Sequence, residues 1–128
     1  MEIVAKILEK MNFEEIRNHC VSKKGVTEEF PFDESTLVFK VMGKMFALLD
    51  LDGEFGINLK CDPEYAIELR EKYSSEIIPG YHMNKKYWNS VLLNGTLTND
   101  FVKNLIDISY NEVVKTLPKK TQLELLNK

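Results

Sequence analysis

The sequence predicts an α+β domain: an antiparallel sheet of about five or six strands with helices packed on it. Three observations carry that prediction. The apolar period is helical near the N-terminus, switches to two from Val26 to Lys60, and returns to helical after Asp62. Turn signals at Gly43-Lys44 and Asp52-Gly53 divide the alternating region into hairpins. The strands come in runs between helices, not in strict alternation with them, which disfavours a parallel sheet.

The elements follow in order. In "MEIVAKILEKM", Ile3, Val4, Ile7, Leu8 and Met11 share one helical face. In the next stretch Phe13, Ile16 and Cys20 share a face pointing roughly the opposite way, so residues 1–11 read as an added helix, separate from one capped by Asn12 and closed at Gly25. "VTEEFPF" alternates with Val26, Phe30 and Phe32 on one side. Pairing across a Gly43-Lys44 turn puts Leu37, Phe39, Val41, Phe46 and Leu48 on one core face, joined by Phe55, Ile57 and Leu59. The other face then carries Val38, Lys40, Met42, Met45, Ala47, Leu49, Asn58 and Lys60. Asp62 caps a helix with Pro63 at its first position. "IIPGYHM" reads as a short strand broken at Pro79-Gly80, and "YWNSVLL" as another strand ending at Asn94-Gly95. Thr98 caps a long helix whose buried face is Val102, Leu105, Ile106 and Val113, and Pro118 ends it. The tail after Pro118 adds at most one helical turn.

Length and composition bound the function. A chain of 128 residues is the size of one domain, here taken as 1–128, and needs no staples to build a core. Its net charge of −3 argues against bulk nucleic-acid binding but leaves room for a local basic patch. No apolar run approaches the ~20 residues of a membrane span, and the charged N-terminus is not a secretory signal, so the expected address is the cytoplasm. Two cysteines, Cys20 and Cys61, lack zinc-ligand spacing and read as core thiols. No nucleophile with a matched base is visible, so no catalytic residue and no cofactor or metal is assigned.

The segments "GVTEEFPF", "LVFKVMGKMFALL", "INLKCDPEYAIELRE", "IIPGYHMNKKYWNSV" and "LIDISYNEVVKTLPKK", in this order and spacing, resemble the MmcQ/YjbR family of small bacterial proteins. The resemblance covers about residues 12–120, leaving 1–11 outside. "PGYHMNKKYWN" is its most specific block; Tyr87 stands where the family pattern carries a histidine. The resemblance implies a two-layer fold with helices on one face of the sheet, like type III secretion chaperones and the frataxin-like CyaY proteins. It brings no enzyme activity or cofactor. The role it implies is DNA binding, through β-hairpins acting as wings.

Six residues stand out as binding candidates: Lys40, Lys60, His82, Asn84, Lys85 and Trp88. Residues 77–91 crowd an imidazole, amides, lysines and the sole tryptophan together, a set that suits an anion or a stacked base. The bland alternative is that Trp88, Val91, Ile77 and Ile78 anchor the core while the polar groups satisfy an irregular turn. Lys40 and Lys60 share the apolar outer face with Met45, as in a contact surface, or simply lay their stems along the sheet. Lys44 and Lys86 add basic charge, whereas Asp50, Asp52 and Glu54 make the second hairpin tip acidic and repellent to phosphates. Two functions follow: a non-enzymatic DNA-binding module, or a module for a protein, peptide or small anionic ligand. Oligomeric state stays open.

Overall fold

The computed structural model describes residues 13–52, 56–80 and 83–128. The separate helix expected over residues 1–11, the Asp52-Gly53 turn, Phe55 and His82 therefore lie outside the described residues. Helix α1 covers 13–21 in its described part. It is followed by β1 (Val26–Glu29), β2 (Thr36–Val41), β3 (Lys44–Asp50), β4 (Ile57–Lys60), α2 (Pro63–Lys72), β5 (Ile77–Pro79), β6 (Trp88–Val91), α3 (Asn99–Lys115) and α4 (Lys119–Leu126). The strands form one six-stranded sheet in the order β1-β2-β3-β4-β6-β5, every neighbouring pair antiparallel.

The four helices among the described residues lie on one face. Ile16 and Cys20 of α1, Ala66 and Leu69 of α2, Val102, Leu105, Ile106 and Val113 of α3 and Leu125 of α4 join one core cluster with Leu37, Phe39, Val41, Phe46, Ile57 and Leu59 of the sheet. Burying this apolar surface is the main source of stability. Helix starts follow local chemistry. The Asp62 carboxylate accepts from the Glu64 and Tyr65 amides, with Pro63 at the first helical position. The Thr98 hydroxyl accepts from the Phe101 amide at 3.1 Å.

Four expectations need correction. First, β1 stops at Glu29, and Phe30 and Phe32 are exposed at 50% and 66%. Pro31 offers no amide to a ladder, and the Asp33 carboxylate accepts from the Ser35 and Thr36 amides at 2.9 and 2.7 Å, turning the chain into β2.

Second, the β2–β3 loop is Met42-Gly43, not Gly43-Lys44: Val41 pairs with Lys44, and both loop residues have positive φ, 49° and 88°. That is the geometry of a two-residue primed turn. A bulge then follows. Lys40 pairs with Met45 but Phe39 pairs with Ala47, so Phe46 is the extra residue. Phe46 and Ala47, consecutive in sequence, both enter the core. The slip moves Ala47 and Leu49 to the helix side and Leu48 to the outer face, opposite to the sequence expectation for all three.

Third, Ile78 pairs with Ser90 on the outer face and is only half-buried, whereas Ile77 and Val91 reach the core. Fourth, the tail forms an eight-residue helix, α4, with Leu125 buried in the core. Leu125 closes over Gly25: a Cβ at Gly25 would lie 2.5 Å from its Cδ1, and Gly25 has φ +72°.

Candidate functional site

Four of the six candidate residues, Lys40, Lys60, Asn84 and Trp88, gather around the outer face of the sheet. Val38, Leu48 and Trp88 form a second buried cluster there, flanked by Met45, Met83 and Tyr87. These are strand and loop residues only; among the described residues no helix contributes. A groove of about 670 Å³ opens over this cluster. Phe32, Met45, Leu48, Met83 and Trp88 supply its apolar surface, and Asp33, Thr36, Asp50, Asn58 and Asn84 its polar walls. Trp88 is 8% exposed, so it packs inward as the residue type suggests, but into this outer cluster and away from the helices.

The wall residues are held by their own hydrogen bonds. Asn58 Oδ1 accepts from the Ser90 hydroxyl at 2.5 Å across the β4–β6 pair. Asp33 is kept below the usual carboxylate range, chiefly by the amide of Ser35, so it is ionised at neutral pH. Asp50 Oδ1 accepts from the Asp52 amide at 3.0 Å.

The 83–87 loop that closes the groove is positioned from the helix layer. Arg70 of α2 donates through Nε to Asn89 Oδ1 at 2.6 Å, and through its terminal nitrogen to the carbonyls of Lys85 and Trp88. Asn89 in turn donates to the Ala66 carbonyl at 3.3 Å. Asn84 makes the loop turn: its carbonyl accepts from the Tyr87 and Trp88 amides, and its side chain accepts from the Lys86 amide at 3.0 Å. Gly80 is required on the other side, because its amide donates to the Trp88 carbonyl at 2.7 Å and a Cβ there would lie 2.8 Å from that oxygen and from Trp88 Cβ.

Beyond Met45 the groove continues into a shallower hollow of about 490 Å³, lined by Lys40, Gly43, Lys44, Met45, Lys60, Val113 and Thr116. Lys40 pairs with Glu29 across the β1–β2 ladder. The Lys60 ammonium lies 5.6 Å from the centre of the Tyr87 ring, which Lys86 approaches at the same distance.

The candidate residues thus divide. Asn84 and Trp88 line the groove; Lys40 and Lys60 line the adjoining hollow. Lys85 lines neither, and its carbonyl serves as an Arg70 acceptor. Asp33, Thr36, Met83 and the positioning residue Arg70 were not binding candidates from sequence; Asp50 was read only as part of an acidic hairpin tip and Asn58 only as an outer-face residue. Arg70 carries no local signal there, since its partners come 15 or more positions later.

Neither cysteine can act as a ready nucleophile. Burial pushes the Cys20 thiol up to about 12 and the Cys61 thiol to about 11. Among the described residues no group of three or more His, Cys, Asp or Glu side chains could hold a metal ion, and no helix is long and apolar enough to cross a membrane.

Fold and sequence agree on a class of protein. The YjbR family model matches residues 21–112, and the chain belongs to that family. It is 31% identical over 111 residues to the Escherichia coli K12 protein YjbR, covering 86% of this chain and 93% of the relative. It is 32% identical over 114 residues to Bacillus subtilis YyaQ, covering 77% and 94%. Both relatives are named as uncharacterised proteins. Among solved structures it is similar to a Deinococcus radiodurans protein with the DUF419 domain. The TM-score is 0.82 at 39% identity, over 88% of this chain and 86% of that one. A Pseudomonas syringae protein matches at a TM-score of 0.58 and 32% identity, over 68% and 86%.

Proposed function

We propose that this protein is a non-enzymatic binding module that holds an extended protein segment in the groove on the outer face of its sheet. One observation carries the reading: the face left bare by the described helices has an apolar floor built on Leu48, Met45 and the sole tryptophan, walled by polar residues. That combination of apolar floor and polar rim is how recognition grooves are built. A non-catalytic role is supported by the burial of both thiols in the core, which raises them well above the range of a ready nucleophile. A cytoplasmic setting suits two free cysteines.

Duplex DNA is the second reading, favoured by Lys40, Lys44 and Lys60 converging beside the β2–β3 hairpin. Against it, Lys40 is paired with Glu29 and the groove's far end carries Asp33 and Asp50, so the lysines do not extend into a stripe.

Panning a displayed random-peptide library separates the two readings. Enriched peptides should shift Trp88 emission and lose binding in Met45→Asp, which adds a charge to the groove without touching the helix core. The reading is overturned if nothing is enriched over an unrelated control protein, or if Met45→Asp binds as well as wild type. Random duplex DNA that binds with affinity falling steeply as salt rises would install the second reading in its place.

A further inference from the structure

The groove is charge-polar along β3. Lys44 begins this strand and Asp50 ends it. Seven residues at about 3.3 Å per residue separate the two ends by roughly 20 Å. Antiparallel pairing stacks like charges at each end. Lys40 lies beside Met45, and Lys60 follows Leu59, the partner of Ala47, so both fall at the Lys44 end. Thr36 pairs with Asp50, which brings Asp33, just ahead of β2, to the Asp50 end. Asp33 accepts from the Thr36 amide at 2.7 Å and Asp50 from the Asp52 amide at 3.0 Å. The middle, Leu48 and Trp88, is apolar.

Resting on the reading above, we infer that the groove selects a segment of opposite polarity. The ligand is an extended peptide about one β3 length long, apolar through its centre. It carries a basic side chain that lies at Asp33 and Asp50, and an acidic side chain that lies in the hollow beside Lys44 and Lys60, Lys40 there being paired with Glu29. Like-charged ends are disfavoured at one terminus each, so the groove discriminates by repulsion as well as attraction. A uniform polyanion such as a nucleic-acid strand meets the same repulsion at the carboxylate end.

Three synthetic peptides of about seven residues test this. They share one alternating Thr/Leu/Val centre and differ only in their terminal side chains: Arg with Glu, Arg with Arg, or Glu with Glu. Trp88 emission reports occupancy. The Arg/Glu peptide should bind wild type about 3–10-fold more tightly than either like-charged peptide, the range expected of two exposed ion pairs. In the double variant Lys44→Glu/Lys60→Glu the preference should move to Arg/Arg. Equal binding of all three, or an unchanged preference in the double variant, overturns the charge polarity while leaving the groove reading intact. No emission change with any of the three removes the groove reading itself. Circular dichroism of the double variant, whose substitutions lie outside the helix-side core, confirms that folding is retained.

Discussion

At the residue scale, Ser109 is the side chain that makes the bulge tenable. Phe46 has no cross-strand partner on either side, and its carbonyl would be buried without one. The Ser109 hydroxyl donates to that carbonyl at 2.6 Å and accepts from the Lys60 amide at 2.8 Å, fastening α3 to β3 and β4 at once. Ser109→Ala leaves both backbone groups unsatisfied and should cost about 1–3 kcal/mol in chemical denaturation, far more than an exposed serine would. Phe46 fills the space the bulge opens, stacked edge-on against Tyr110 at 5.4 Å. Phe46→Ala should cost about 3–5 kcal/mol. Gly80→Ala should be disruptive for a separate reason, the close approach of the β6 backbone at Trp88, and should shift the emission of that tryptophan.

At the element scale, two attachments hold the periphery of the helix layer. Helix α1 is tied to α3 through Asp107, which takes His19 Nε2 at 2.7 Å and Lys23 at 2.5 Å. Burial acts to raise the Asp107 carboxyl, but these two partners outweigh it and leave the group below its ordinary 3.8. A depressed folded pKa stabilises above the ordinary value and is lost as pH falls through the folded one. The acid limb of a stability profile below about pH 4 should therefore be flatter in Asp107→Asn than in wild type. At the other end, α4 closes over Gly25, where positive φ and Leu125 both forbid a side chain, so Gly25→Ala should cost at least 1–2 kcal/mol. Elements with local signals were legible in the sequence. The α2 and α3 starts follow from Asp62, Pro63 and Thr98, and the core face of β4, Ile57 and Leu59, from its alternation. What was not legible depended on competition between elements. Two adjacent candidate turns differ by one residue at Gly43, and only the packing of Phe46 and Ala47 against α3 selects Met42-Gly43 with a bulge. That single slip decided which of Leu48 and Leu49 faces the groove. Likewise the loop at 83–87 was visible as unusual, but its anchor, Arg70, lies on a helix with an unremarkable pattern. Arg70→Ala should red-shift Trp88 emission with little loss of helix signal. Arg70→Lys should not rescue it, because one ammonium cannot serve Asn89, Lys85 and Trp88 together.

At the scale of the whole molecule, one sheet separates two surfaces of different purpose. The helix side is a closed core containing both cysteines. The outer side spends large apolar residues, Val38, Leu48 and Trp88, where the described helices do not cover them, and leaves a groove running from carboxylates to lysines. A fold that used this face only as solvent-facing sheet would carry polar residues there by simple alternation. Amide chemical-shift mapping with the Arg/Glu peptide tests this most directly, with the Trp88 indole N–H as an internal reporter. Progressive shifts should appear at Met45, Leu48, Asn58 and the Trp88 indole, with α1 and α2 unmoved and α3 shifting only at its C-terminal end, where Val113 and Thr116 line the lysine hollow. No shifts at millimolar peptide, or shifts confined to the helix layer, would contradict the assignment of the outer face as the binding surface.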